Sequence, residues 1–157
     1  MGLTASAHRF VSATALTALT GREVVDNTWT RGDVLRPVHT AIAADHEAIA
    51  VYSASVAFLS SLAGGLGNSP FLLAALGTPA PVLLAPSLPP GVGDSPIIRD
   101  SLARLAAVPN YHLVQPKKGK SRSTGAEADT VAPMWEIIGT LEASLAAPQD
   151  RPVGRAA

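Results

Sequence analysis

The chain has 157 residues, with 12 basic and 12 acidic side chains, a formal net charge of zero and no cysteine. The length suits one domain, and 47% hydrophobic residues exclude a low-hydrophobicity disordered chain. The charge balance argues against nucleic-acid binding, and the lack of cysteine removes disulfides, cysteine-ligated zinc, iron–sulfur clusters and thiol nucleophiles.

Charged residues are only 15% of the chain. A lone domain of this size should carry more surface charge, so a buried subunit interface is expected. The first ten residues contain no apolar core of signal-peptide length. The most apolar stretch, Phe71 to Pro86, is broken by Gly77, Pro79 and Pro81 and is too short to span a bilayer. No membrane association and a cytoplasmic location are therefore expected.

In chain order, Ala7, Phe10, Val11, Ala15, Leu16 and Leu19 recur at helical spacing, and Gly21 ends the run as a C-cap. The chain is thus expected to open directly on a helix. Glu23 to Val25 is a short strand candidate, 27–37 a loop holding Trp29, and a helical turn follows near His39. Ala48 to Tyr52 is a continuous apolar run, as in a parallel strand buried on both faces. An apolar helix follows from Ala54 to Ala63, then a second from Pro70 to Leu76, closed by Gly77. Val82 to Ala85 reads as another buried strand, ended by Pro86. Ser95-Pro96 opens a helix with proline at its first position. Tyr111 to Val114 is a strand, Lys117 to Thr130 a polar loop, and Met134 to Ala146 the last helix. One domain over 1–147 is expected, with 148–157 as a disordered tail.

Strands alternating with helices imply a parallel sheet covered on both faces. Ligands of such sheets bind beyond the carboxyl ends of the strands. The segments that matter are then Tyr52 to Phe58, Pro86 to Gly93 and Gln115 to Gly125. A sheet of this class usually begins with a strand and a Gly-rich phosphate turn, and neither precedes the first helix here.

At these strand ends a likeness emerges. His39, then Ala48-Ile49-Ala50-Val51 and Tyr52-Ser53-Ala54-Ser55-Val56-Ala57-Phe58, running to Leu62-Ala63-Gly64-Gly65, resembles the homo-oligomeric flavin-containing cysteine decarboxylases. Ala85-Pro86-Ser87-Leu88-Pro89-Pro90-Gly91 matches a second block of that family. Thr4, Ala7, Phe10-Val11 and Leu19-Thr20-Gly21 match a third. The likeness is nearest to the actinobacterial members acting on ribosomal peptides. Ser53 stands where the family has proline, Ala57 where many members have a flavin-contacting asparagine, and Leu88-Pro89 where the family has a Met-Asn pair. The family's first strand, helix and second strand, with the loop that holds the flavin phosphate, have no counterpart.

The resemblance implies a flavodoxin-like three-layer α/β/α fold lacking its first βαβ element. It implies FMN or FAD as cofactor and oxidative decarboxylation of a peptide's C-terminal cysteine to an aminoenethiol, as in lanthipeptide biosynthesis. In that reading His39 is the base, because an imidazole titrates near neutrality. Thr4, Tyr52, Ser53, Ala54, Ser55 and Phe58 would hold the flavin. Ser87, Leu88, Pro89, Lys120 and Arg122 would meet the peptide. It also implies a homo-oligomer, trimer-based, with the Ala54–Ala63 helix as a candidate interface. Two alternatives stand: a non-catalytic scaffold subunit paired with a companion in a biosynthetic complex, and a relative of the phosphopantothenoylcysteine decarboxylases.

Each residue also has a plainer role. Ser53 and Ser55 suit helix N-caps. Pro86 to Pro90 suits a strand terminator, and the Lys/Arg loop a solvated surface. Trp29 and Trp135 suit packing. His8, His46 and His112 have no metal-ligand spacing and read as structural.

Overall fold

The computed structural model describes residues 1–29, 35–121 and 124–146. The expected tail at 148–157, Arg122 and part of the 27–37 loop lie outside these.

The start differs from the helical expectation. A two-residue strand, β1 (Gly2–Leu3), comes first, followed by a single 3-10 turn at Ala7–Arg9 and then α1 (Ala13–Thr20). Ser12 breaks the anticipated continuous helix because its hydroxyl accepts from Ala15 N–H and caps α1. Gly21 does end α1, with a left-handed φ of 64°. The apolar stripe that suggested the long helix is largely uncovered, with Phe10 86% and Leu19 83% exposed.

β2 (Val25–Asp26) pairs parallel with β1 and forms a separate two-stranded sheet. After α2 (Val38–Asp45), a second parallel sheet holds β3 (Ile49–Ala54), β4 (Val82–Pro86) and β5 (Tyr111–Leu113), in that order. The helices between them are α3 (Val56–Ala63), α4 (Pro70–Gly77) and α5 (Pro96–Ala106). Ser55 and Ser69 cap α3 and α4 by accepting from Phe58 and Leu72 N–H. Pro96 opens α5 at its first turn, as expected.

β4 is the axis of the core, with Val82, Leu83 and Leu84 all at 0% exposure. Side chains alternate across a strand, so its two faces collect different partners. Val82 and Leu84 pack with Leu59 and Leu62 of α3, Leu72 and Ala75 of α4 and Leu105 of α5. Leu83 and Ala85 pack with Val114, Ala132 and Ile137 of α6 (Met134–Ala146). The result is helix, sheet, helix: the three-layer α/β/α arrangement.

Two readings are corrected here. β3 is not buried on both faces: Ile49 and Val51 pack on the cluster of α3, α4 and α5, while Ala50 and Tyr52 on the opposite face are exposed. The 117–130 segment is not a simple loop. It folds into an antiparallel hairpin, β6 (Lys117–Lys120) with β7 (Glu127–Thr130). α3 buries Leu59 and Leu62 in the core of its own chain.

The turn between α4 and β4 is fixed by polar groups. The Thr78 hydroxyl donates to Ala43 C=O and accepts from Ala80 N–H, and the Asn110 amide donates to the carbonyls of Thr78 and Ala80. The Tyr111 hydroxyl donates to Ala75 C=O at 3.0 Å. Tyr111→Phe leaves that carbonyl without its donor, so a loss of about 1–3 kcal/mol is expected in denaturant unfolding. Burial also raises the Tyr111 phenol above its ordinary range. The contribution is therefore whole below pH ~10 and lost as pH rises through the raised value. Tyr111→Phe should flatten this alkaline loss; a variant with the wild-type midpoint and alkaline slope would contradict it.

Candidate functional site at the carboxyl ends of the strands

The carboxyl ends of β3 and β4 and the hairpin are tied by backbone hydrogen bonds. Ser87 N–H donates to Ala54 C=O at 3.0 Å, and Leu88 N–H donates to Asp129 C=O at 2.9 Å. The structure thus brings Tyr52–Ser55, Ser87–Pro89 and the β6–β7 hairpin together. The Tyr52–Ser53 peptide is cis. Tyr52 is 48% exposed and Ser53 and Ser55 are exposed, while Ala54 is fully buried. Phe58 is half-buried and packs on the core, and Leu88 lies within it at 4% exposure. Leu88 therefore presents backbone to the site, and Pro89 presents an exposed ring.

Thr4 and Ser55 use their hydroxyls locally. Thr4 Oγ1 accepts from Ala7 N–H at 3.3 Å, and Ser55 Oγ accepts from Phe58 N–H at 3.2 Å. The capping reading of Ser55 is the observed role.

The hairpin is braced at both sides. Lys118 Nζ lies 2.7 Å from Asp129, and Lys117 Nζ lies 3.0 Å from Glu136 of α6. The hydrogen bond and the charge of Asp129 hold the Lys118 ammonium above the usual lysine range. Lys120 is exposed and has no carboxylate partner among the described residues. A groove of about 240 Å³ lies on the α5 side of the same strand ends, lined by Pro86, Leu102, Leu113 and Val114.

His39 is placed differently. It stands in the first turn of α2, half-buried, with Nδ1 shut off from solvent and without a hydrogen-bond partner among the described residues. Trp29 meets it edge to face, ring centres 5.5 Å apart at 71°. The indole N–H of Trp29 donates to Asn68 C=O, ahead of α4, at 3.4 Å. Sequence reasoning treated Trp29 as packing; a lone aromatic in a loop carries no signal of which residue it will meet. His8 pairs with Asp26 at 2.7 Å and His46 Nδ1 lies 3.1 Å from Ile42 C=O. Among the described residues no cluster of three or more His, Asp and Glu side chains is placed to hold a metal, and no helix is long and apolar enough to cross a membrane.

A phosphate-bearing flavin fits this surface at one end. The half-exposed Tyr52 ring and the exposed Ser53 and Ser55 at the start of α3 suit a flat, polar-edged ring. The hydroxyls of Thr4 and Ser55 are turned onto their own helix starts.

The parallel order β3-β4-β5, with helices on both faces and ligand-facing loops at the strand ends, is a flavodoxin-like fold, and its structural neighbours are flavin-dependent cysteine decarboxylases. The FMN-dependent cysteine decarboxylase SpaF superposes with a TM-score of 0.75 at 22% identity, covering 92% of this chain and 77% of its own. TvaF, from thioviridamide biosynthesis, gives 0.72 at 24% identity over 93% and 78%. The epidermin biosynthesis protein EpiD from Staphylococcus aureus gives 0.74 at 12% identity over 88% and 82%. No family model and no curated protein matches the chain. At these identities the likeness establishes the fold.

Proposed function

We propose that this chain is a subunit for FMN-dependent oxidative decarboxylation of a peptide's C-terminal cysteine. The observation that carries the reading is His39 Nδ1, a buried nitrogen with no partner among the described residues. An unsatisfied buried polar atom is costly and rare, so it marks a position that a ligand completes. The reaction removes carbon dioxide and two hydrogens, and FMN, when bound, supplies the two-electron acceptor.

This chain's own residues do the rest. His39 takes the cysteine thiol proton, and Trp29 fixes the ring that takes it. Tyr52 to Ser55 line the flavin ring, with Thr4 and Phe58 at the margin. Ser87, Leu88 and Pro89 offer backbone and an apolar rim to the peptide. The hairpin, pinned by Leu88–Asp129, extends beside them and holds Lys120 free for the peptide carboxylate; Arg122 is assigned the same role. A homo-oligomer, trimer-based, fits the exposed Met134, Trp135 and Ile138 of α6, which are spaced to lie along one side of that helix.

The rival reading, a flavin-free scaffold subunit serving a companion enzyme, is favoured by Thr4 and Ser55 turning their hydroxyls onto their own helix starts. FMN titration followed by flavin fluorescence separates the two. Ring contacts without phosphate contacts predict saturable binding weaker than about 1 μM. No binding at any FMN concentration contradicts the enzyme reading, and tighter binding means the phosphate is held by groups other than Thr4 and Ser55.

A further inference from the structure

We infer that Asn27 is a positioning residue for His39: its side-chain amide fastens the segment that carries Trp29 to the start of α4, and so sets the indole that meets the imidazole. The inference rests on the proposed role of His39, but its first readout is independent of turnover.

Burial does not hold Trp29, which is 56% exposed. A single edge-to-face contact is too weak to order a ring, because the fixed side chain gives up its rotamer freedom. The hydrogen bond from the indole N–H to Asn68 C=O is 3.4 Å long, outside the usual range of about 2.7–3.2 Å. The position of the indole therefore depends on how the backbone before it is anchored.

Two residues earlier, Asn27 makes the shorter bond. Its Oδ1 accepts from Phe71 N–H at 2.9 Å in a partly buried setting. Phe71 lies in the first turn of α4, where backbone N–H groups have no partner within the helix. Ser69 takes the next one, Leu72 N–H. A buried N–H left unpaired is costly, so the Asn27 attachment is firm. On its other side Asn27 is tied to β1, since its own N–H donates to Leu3 C=O at 3.0 Å. β1 runs so close to α4 that a Cβ added at Gly2 would stand 2.4 Å from the Phe71 ring. That approach lets a side chain as short as asparagine's bridge from the end of β2 to the helix.

α4 is thus a common platform. At its start, Asn68 and Phe71 hold Trp29 and Asn27. At its end, the Thr78 hydroxyl donates to Ala43 C=O of α2, the helix that carries His39. Loss of the Asn27 bond would leave α2 seated on α4 while releasing the indole.

The test is NMR of the His39 ring protons in the full chain, using isotope-labelled histidine, with His39→Asn for assignment. The ring current of Trp29 displaces these signals, and Trp29→Ala gives their undisplaced positions. Asn27→Ala should move them most of the way to the Trp29→Ala positions. Asn27→Asp should keep them where wild type has them, because it retains an acceptor oxygen at a helix N-terminus that favours negative charge. A merely stabilising Asn27 would lower the urea midpoint and leave the His39 signals in place, and that result would overturn the inference. Should Asn27→Ala fail to fold, Asn27→Asp decides: signals at the Trp29→Ala positions overturn the inference, and wild-type signals support it. In turnover, Asn27→Ala should lower kcat by about as much as Trp29→Ala with KM unchanged, and Asn27→Asp should restore it. If wild type itself leaves the peptide intact, His39 loses its role as base, while the ring-proton shifts still decide whether Asn27 places Trp29.

Discussion

His39→Asn is expected to lower the rate of cysteine decarboxylation by about 10²–10⁴-fold, the usual consequence of losing a positioned general base. The side chain enters from the first turn of α2 with Nδ1 buried and unpartnered, and the ring is held by Trp29. Asparagine keeps polarity and approximate size but cannot accept the thiol proton near neutral pH. FMN affinity should stay within a small factor of wild type, because Tyr52 to Ser55 lie at the end of β3 and the cap of α3 and not on α2. Trp29→Ala should give a smaller loss, since it leaves the base in place and frees its ring. Wild-type turnover in His39→Asn would remove His39 from the chemistry.

Leu84→Ala is expected to destabilise the fold by about 2–5 kcal/mol, a large share of the 5–15 kcal/mol that typical domains possess. Leu84 is fully buried in the central strand and touches the cluster built by α3, α4 and α5. Truncation there removes apolar contact and leaves a cavity that three helices cannot close. Ile97→Ala is the matched control: Ile97 is 75% exposed, and its truncation should cost within about 0.5 kcal/mol. Equal midpoints for the two variants in urea unfolding would contradict this account of the core.

Much of the centre was legible because local chemistry decides it. The apolar run at 82–85 had to be buried, Ser95-Pro96 had to open a helix, and the 134–146 pattern matches α6 to the residue. β1 was not legible, since Gly2 and Leu3 carry no period and become a strand only through β2, twenty residues further on. The hairpin was hidden by composition: Lys117 to Lys120 and Glu127 to Thr130 are polar, and their pairing rests on cross-strand contacts and the Lys118–Asp129 ion pair. β3 misled in the other direction. Its apolar run read as doubly buried, but burial needs a covering layer on each face, and only the Ile49–Val51 face of β3 packs into a cluster.

The candidate site divides in the same way. Tyr52 to Ser55 and Ser87 to Pro89 could be found because strand ends are where such sheets bind ligands. The Trp29–His39 contact joins residues from a loop and a helix, and no spacing rule announces it. Leu88 was counted among the peptide-facing residues, whereas its side chain serves the core and its backbone anchors the hairpin.

A substrate peptide of sequence Asp-Ser-Tyr-Thr-Cys is known in complex with an EpiD variant and makes a suitable probe. The purified chain, saturated with FMN, is incubated with this peptide and the products are weighed by mass spectrometry. The proposed function predicts a new species lighter by one carbon dioxide and two hydrogens, formed by wild type and not by His39→Asn. A peptide of unchanged mass, with FMN demonstrably bound, would contradict it.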